Sequence, residues 1–594
     1  MEHSFLHGAA LIGLMIALAA PLLVLGLLAP VTRRLASDAD STLLAGSLAA
    51  NAARWAMRAA LLGAAAALLD LPVAVAEIGN VTLLAGFDPA VLVRFASATT
   101  VGRLGLARAV LFLACGAVAG WLLRSIAAGG TAGASAAPRS RTGLAASLGS
   151  TWAWLALGAL ALGGALATSL VSHAAAQPTL RAGAVAGQAL HLVAAAVWIG
   201  VLAHLALDRR LIARAGPRAA IRLVAPMIER FSPVALTGAG LLALSGVAGA
   251  YFYLRSPERL LTSPYGLTLT VKLLLVLPLL AAGLINYRIV LPALRRAKLA
   301  AEPPAAGQTI HEQLSPERTG GVPEGSAASL ARLARMIELE VTAGLLVVAV
   351  AGVLGSVSPP GEDGSWSLTP AQIAAVTRPR LPVTQVADPA TWVGSAERTA
   401  DDLRYSEFMH NWSGVIVCFL GLAWLAQSVG GRLGRFLGRL WPLVLIPFAA
   451  FVAVASDPEV WPLGTVSPWL ALRDPIVFEH RIGALMILAL VWLGLREERR
   501  AVVDRPLGRS LPVLMIVGSL LLLGHAHSSL TADDHLAALI NAQHAVLGGL
   551  GLLAGVVRWL EIRRLVPARA ASILWPALVI AVGVFMAFSY RELV

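Results

Sequence analysis

Long apolar runs recur along the whole sequence, and they restrict the folds open to it more than any other feature. Each run is about 18 to 25 residues long, the length that an α-helix needs to cross a bilayer core of about 30 Å. Hydrophobic residues make up 58% of the chain and charged residues only 13%, whereas a soluble domain is about 45–50% apolar. Backbone exposed to lipid must satisfy its own hydrogen bonds. The sequence therefore predicts an all-α, polytopic transmembrane protein.

The runs predict about fourteen spans in two sets. The first eight are expected near residues 8–30, 54–76, 103–124, 152–172, 187–207, 231–253, 268–290 and 332–356, and the other six near 410–428, 438–455, 477–495, 511–528, 541–560 and 570–589. A segment rich in Pro, Gly and Ala, 299–330, reads as a cytoplasmic linker, and 357–408 as a periplasmic loop. We therefore expect an eight-helix membrane domain over 1–356 and a six-helix membrane domain over 409–594.

Basic residues concentrate in alternate loops, for example "VTRRLA", "DRRLIARAGPRAAIR" and "LREERRAVVDRPLGR". By the positive-inside rule these loops are cytoplasmic, which places both termini in the periplasm. The sequence thus predicts a multi-pass protein of the bacterial inner membrane, in contact with the lipid bilayer. Because the positive charge serves topology, we predict no nucleic-acid partner, and no nucleotide-binding motif is present.

Histidines are distributed unevenly over this topology. Ten of the twelve fall at the predicted outer face, although amphipathic side chains that merely tolerate an interface should occur at both ends of the spans. Imidazole is also costly near hydrocarbon unless it is satisfied. A similar spacing separates His173 from His191 and His525 from His544, each pair bridging two antiparallel spans. The predicted metal ligands are His173, His191, His410, His480, His525, His527 and His544.

Imidazole is a ligand for copper, zinc, nickel and haem iron. The set therefore predicts either a copper ion or b haem held between facing helices. On a helix, His525 and His527 would point about 200° apart, so we expect only one of them inside the bundle. Further ligands, or acids that orient the imidazoles, are His3, His7, Met409, His535, Glu479, Asp533 and Asp534. The alternative for these residues is a structural hydrogen bond or solvated loop charge.

The segments "GQALHLVAAAVWIGVLAHL", "RFSPVALTGAGLLALSGVAGAY" and "LLTSPYGLTLTVKLLLVLPLL" resemble the copper resistance protein D (CopD) family. The resemblance covers residues of about 1–360 and is strongest across 172–290, whereas the second set of spans is not recognised. It implies a membrane protein that moves copper from periplasm toward cytoplasm, with His173 and His191 as ligands.

The resemblance also implies functional polar residues inside the spans. They are Tyr265, Lys272 and an acid of the eighth span, assigned to Glu340 with Glu338 as the alternative. Asp70 in the second span is a further ionisable group of this kind. Such groups are expected to face a polar interior, and an ion pair between Lys272 and Glu340 is one candidate arrangement.

Three functions follow from these features. The first is copper uptake through an outer-face histidine site, which makes the chain a transporter rather than an enzyme. The second is a b-type haem protein that transfers electrons or reduces Cu(II). The third is an assembly factor that delivers copper to another protein. A periplasmic copper-binding protein is the expected partner for capture at the outer face.

Overall fold

The computed structural model describes residues 2–79, 81, 83–133, 148–177, 180–301, 324–361, 365–393, 399–498, 510–525 and 534–594. These residues are overwhelmingly helical, and no strand occurs among them apart from an isolated bridge between Val460 and Val466. The predicted all-α fold is confirmed.

The first half of the chain is built mainly from long helices. They are α1 (Glu2–Pro21), α2 (Ala29–Arg34), α3 (Ala39–Gly79), α4 (Leu83–Gly86), α5 (Pro89–Ala98), α6 (Thr100–Gly133), α7 (Thr151–Leu170), α8 (Arg181–Ala195), α9 (Val201–Arg214), α10 (Pro217–Leu254), α11 (Arg259–Thr262), α12 (Pro264–Ile285), α13 (Leu291–Ala301) and α14 (Glu324–Leu354). Three π-helical segments, Leu22–Leu28, Ala196–Gly200 and Asn286–Val290, join α1 to α2, α8 to α9 and α12 to α13 without breaking the helices.

The second half begins with a connection and continues as a bundle. Its helices are α15 (Pro370–Thr377), a 3₁₀ turn (Pro389–Thr391), α16 (Ala400–Val429), α17 (Gly431–Ala455), α18 (Pro468–Ala471), α19 (Pro475–Glu498), α20 (Ser510–Gly524), α21 (Asp534–Ile562) and α22 (Ala568–Phe588). Helix α16 starts ten residues before the predicted span at 410–428, because Thr399 caps it by accepting from the Asp402 backbone N–H.

Thirteen helices in the described ranges are long and apolar enough to cross a membrane. They correspond to thirteen of the predicted spans. The remaining one, predicted at 511–528, is α20, an apolar helix of 15 residues, and residues 526–533 that follow lie outside the description. The chain is therefore a multi-pass helical membrane protein.

The two halves pack against each other through apolar side chains. Val271 of α12 contacts the α21 backbone at Gly549, where a Cβ would lie 2.6 Å from Val271 Cγ2. One buried cluster spans the contact, with Leu275, Leu346 and Val350 from the first half and Leu520, Leu523 and Leu552 from the second. The two predicted domains thus share a continuous apolar boundary.

Polar contacts sort the bundle into two ends. At one end, which we call the arginine end, the basic loops pair with acids: Arg222 with Asp38 (2.7 Å), Lys298 with Glu229 (3.6 Å) and Arg209 with Glu338 (3.6 Å). The opposite end, which we call the histidine end, carries His3, His173, His410 and His480. This arrangement agrees with the grouping of loops by charge, while the assignment of the histidine end to the periplasm stays a prediction.

Candidate functional site

Four histidines of the second half converge from four different helices. His480 lies on α19, His525 directly follows α20, His544 lies on α21 and His410 on α16. Their ring centroids form a series: 5.9 Å from His480 to His525, 5.1 Å from His525 to His544 and 5.5 Å from His544 to His410. We call these four residues the second-half cluster. His544, in the middle, is only 2% exposed.

Three of the four rings are oriented by acceptors on Nδ1. His480 Nδ1 lies 2.6 Å from Asp457 Oδ1, and His525 Nδ1 contacts the Glu479 carboxylate. His410 Nδ1 lies 2.9 Å from the Ser406 carbonyl oxygen. Because carboxylates and carbonyls only accept, these contacts favour the tautomer with its proton on Nδ1 and leave Nε2 as the basic nitrogen. This is the arrangement by which acids orient metal-bound imidazoles.

The ring spacing suits pairs of imidazoles on one metal ion. With metal–nitrogen bonds of about 2.0–2.1 Å, two imidazoles on one ion have centroids about 5 to 6.5 Å apart. The neighbouring rings of the second-half cluster fall in that range. Within the described residues, however, no group of three or more His, Cys, Asp or Glu is already arranged around a metal position. A site with three ligands therefore requires rotation of the side chains.

A cavity of about 760 Å³ adjoins the second-half cluster. Its walls are mainly apolar and include the buried Met409, and all four histidines line it. Acidic residues, among them Asp457 and Glu459, form its polar side. Burial, together with Asp457, Asp474 and Asp402 nearby, raises the pKa of Glu459. An apolar pocket with several imidazoles also suits a flat macrocycle such as haem, so the residues fit either group.

Two residues of this region were missed from the sequence. Tyr590 stacks on His410 with ring centroids 3.9 Å apart and planes at 12°, and its hydroxyl donates to Glu592 Oε1 at 2.8 Å. Asp457, 3% exposed, contacts both His480 and Arg481 (3.0 Å). Neither residue belongs to a motif. For Asp457 the sequence offered one signal: it is an acid that directly follows a predicted span, at the end where the histidines gather.

A second group of histidines lies in the first half, where it surrounds a buried ion pair. Asp70 Oδ1 is 2.7 Å from His3 Nδ1, and Asp70 Oδ2 accepts from Arg108 at 2.8 Å. His7 stacks on His3 with centroids 6.0 Å apart. We call these residues, with His173, the first-half group. It joins α1, α3 and α6 at the histidine end.

His173 follows α7 and lies among aromatic rings. The centroids of Tyr253 and Tyr265 are each 6.3 Å from its own. Burial lowers the pKa of His173, which keeps the imidazole neutral near pH 7. His191 has other partners: its Nδ1 lies 2.9 Å from Ser245 Oγ. The similar spacing in sequence therefore does not place His173 and His191 in one shared contact.

The candidate pairing of Lys272 with Glu340 is wrong. Glu340 Oε2 accepts instead from Asn286 Nδ2 at 2.9 Å, and Asn286 lies roughly four helical turns, about 21 Å, beyond Lys272. The polar residues predicted inside the spans thus fall into separate groups at the two ends.

The structure separates the two candidate acids of the eighth span. Glu338 pairs with Arg209 and with Arg563, which links both halves at the arginine end. Glu340 is 2% exposed and faces the interior. Of the two, Glu340 has the environment that the resemblance implies for the acid.

The remaining candidates have simpler surroundings. His535 Nδ1 lies 3.0 Å from the Ser367 carbonyl, and its own carbonyl accepts from Gln372, so it fastens the connection between the halves. Asp534 occupies the first turn of α21. His527 and Asp533 lie outside the described residues.

Comparison with known proteins supports the resemblance over part of the chain. Residues 225–354 match the family model of copper resistance protein D. The copper transport protein CutJ of Bacillus subtilis (strain 168) is 35% identical over 98 residues. That alignment covers 16% of this chain and 18% of CutJ, so the chain aligns with under a fifth of that relative. No solved structure matches. His173, His191 and the second-half cluster lie outside the segment that matches the family model.

Proposed function

We propose that this membrane protein takes up copper from the periplasm and that the second-half cluster is its capture site. A single observation supports the proposal: imidazoles from four helices gather beside an acid-lined cavity, and three of them have Nδ1 held by acceptors. The match of residues 225–354 to a copper resistance family supports copper as the cargo.

Capture proceeds by ligand exchange. The acids at the cavity attract a cation, and the Nε2 atoms of His480, His525 and His544 replace its water one at a time. Asp457 and Glu479 accept hydrogen bonds from the Nδ1–H groups of His480 and His525, so they hold the rings in place and leave Nε2 as the nitrogen that binds the ion. A periplasmic copper-binding protein is the proposed donor, and His173 and His191 are the proposed ligands of the first half on the inward route.

A b-type haem protein is the second candidate, favoured by the size and apolar walls of the 760 Å³ cavity. Bound haem would supply one-electron chemistry. The chain's own residues would contribute two imidazoles, an apolar enclosure and the acids that orient the rings. Delivery of copper to a partner enzyme is a third candidate that the same capture site would serve.

The absorption spectrum and metal content of one purified sample distinguish these candidates. Copper uptake predicts bound copper, no Soret band, and loss of copper in His544→Ala. A Soret band that disappears in His544→Ala would overturn the copper proposal and support the haem protein. Unchanged cellular copper after deletion of the gene would argue against uptake.

A further inference from the structure

A second cavity, of about 350 Å³, lies in the first half toward the arginine end. It is lined by residues of α9, α10, α12, α14 and the π-helical segments beside them, including Trp198, Phe231 and Glu340. Glu340 lies about half a helical turn from Glu338, whose carboxylate pairs with Arg209 and Arg563 at the arginine end. The cavity is therefore close to the level of the bilayer headgroups on that side.

Two buried polar groups of this cavity, the Glu340 carboxylate and Asn286 Oδ1, are hydrogen-bond acceptors. Glu340 is 2% exposed and receives one bond, from Asn286 Nδ2. The other amide atom, Asn286 Oδ1, is buried and meets no hydrogen-bond partner within the described residues. Buried acceptors are costly unless a donor satisfies them. A ligand that satisfies these two groups must therefore bring hydrogen-bond donors.

Local backbone geometry keeps the space open. Two of the three described π-helical segments border the cavity: Ala196–Gly200 carries Trp198, and Asn286–Val290 carries Asn286. Such bulges often occur at functional positions. A Cβ at Gly283 would lie 3.2 Å from Glu340 Oε1 and 3.6 Å from Trp198 Cζ2, so a larger side chain there would fill the space beside the carboxyl group.

The remaining lining indicates an amphipathic ligand. Leu236 and Leu284, 67% and 57% exposed, stand at the outer side of the bundle, so the cavity opens sideways to lipid chains. The faces of Trp198 and Phe231 suit a cation. Arg288 also lines the cavity and can contact a phosphate.

We propose that this cavity binds the headgroup of an aminophospholipid, phosphatidylethanolamine, from the leaflet at the arginine end. Its ammonium donates to Glu340 and Asn286 Oδ1, its phosphate meets Arg288, and its chains cover the exposed leucines. A choline headgroup has no N–H to donate. A glycerol headgroup has hydroxyl donors but no cation to place against the Glu340 carboxylate and the faces of Trp198 and Phe231. This inference is independent of copper binding at the second-half cluster.

Native mass spectrometry of the full-length protein, released from nanodiscs of equal phosphatidylethanolamine, phosphatidylcholine and phosphatidylglycerol, tests the proposal. The wild type should retain phosphatidylethanolamine selectively. Glu340→Gln should reduce that retention about tenfold, the loss expected for one charged hydrogen bond. Glu338→Gln, close by on the same helix, is the matched control and should keep it. Gly283→Leu fills the cavity without changing charge and should also lose the lipid.

Equal retention of the three lipids would overturn the proposal. So would an equal loss in Glu338→Gln and Glu340→Gln, which would show a general effect of that helix end. If a quinol co-purifies with the wild type and is lost in Glu340→Gln, the donors in the cavity are hydroxyl groups and not an ammonium. That result would contradict the assignment to phosphatidylethanolamine. Copper content is measured in parallel, and the proposal expects it to be equal in wild type and Gly283→Leu.

Discussion

The two halves of the molecule gather histidines at the same end but surround them differently. Both halves contain an aspartate shared by an imidazole and an arginine: Asp70 contacts His3 and Arg108, and Asp457 contacts His480 and Arg481. The second-half cluster also has Glu479 on His525, and its four imidazoles line a cavity. The comparison shows that residue type and depth alone do not identify a ligand set. We expect substitutions at the Asp70–Arg108 ion pair to affect mainly stability, and those in the second-half cluster mainly copper affinity.

The largest effect is expected from Asp70→Asn. Removal of the carboxylate leaves Arg108, 3% exposed, without its anion, which costs about 3–5 kcal/mol for a buried pair. Thermal unfolding of the purified protein should show a large drop in Tm, while Asp40→Asn, an exposed acid in the first turn of the same helix, should not. An unchanged Tm for Asp70→Asn would remove the structural role assigned to the first-half group.

Replacement of His544 by Ala should weaken copper binding about 100-fold, since the ring lies between His525 and His410 and a lost ligand costs more than a lost orienting residue. Competition titration against a copper chelator measures the affinity. His535→Ala, on the same helix but bonded to the Ser367 carbonyl, is the control and should bind normally. Equal weakening in both variants would indicate a general disturbance of α21.

Asp457→Asn should weaken copper binding by about tenfold, at the lower end of the 10–100-fold range for residues that orient a ligand. The amide oxygen can still accept from His480 Nδ1, but the charge that orients the imidazole is lost. The same titration applies, with the exposed Asp401→Asn as control. A normal affinity in Asp457→Asn would show that Asp457 does not orient a copper ligand.

The smallest effect concerns pH and His173. Burial lowers its pKa in the folded protein, whereas the unfolded imidazole has a pKa of about 6.5. Above that pH both states are neutral and nothing changes. As pH falls below about 6.5, the unfolded state alone binds the proton, so stability decreases. Unfolding between pH 7.5 and 5.5 should be less pH-dependent in His173→Gln than in wild type. An identical pH profile for both proteins would contradict a buried neutral His173.

Much of the fold follows from the sequence, because a span is a local property of composition and length. All fourteen predicted spans correspond to helices, although α3 begins fifteen residues before its apolar core at 54–76. Polar residues such as Asn51 extend that helix because tertiary contacts satisfy them: Asn51 Nδ2 donates to Asp208 Oδ1 at 2.5 Å. A local sequence pattern does not predict such long-range contacts, so it does not predict where these helices begin.

The candidate site was only partly predictable. Topology brings His410, His480, His525 and His544 to one level, since each lies where a span meets the same face. The partners of Lys272 and Glu340 depend instead on helix rotation and on depth along neighbouring helices, which composition does not encode. Tyr590 reaches His410 because the residues after α22 fold back onto the bundle. Gln543 holds them there, since its side chain accepts from the Arg591 backbone N–H and donates to the Arg591 carbonyl.

X-ray absorption at the copper edge of the loaded full-length protein tests the central claim, that the imidazoles of the second-half cluster bind copper. The account predicts a nitrogen shell at about 2.0 Å with the outer-shell scattering of at least two imidazoles, and loss of that signature in His480→Ala/His544→Ala. Copper bound mainly through sulfur, or an identical imidazole signature in the double variant, would contradict it.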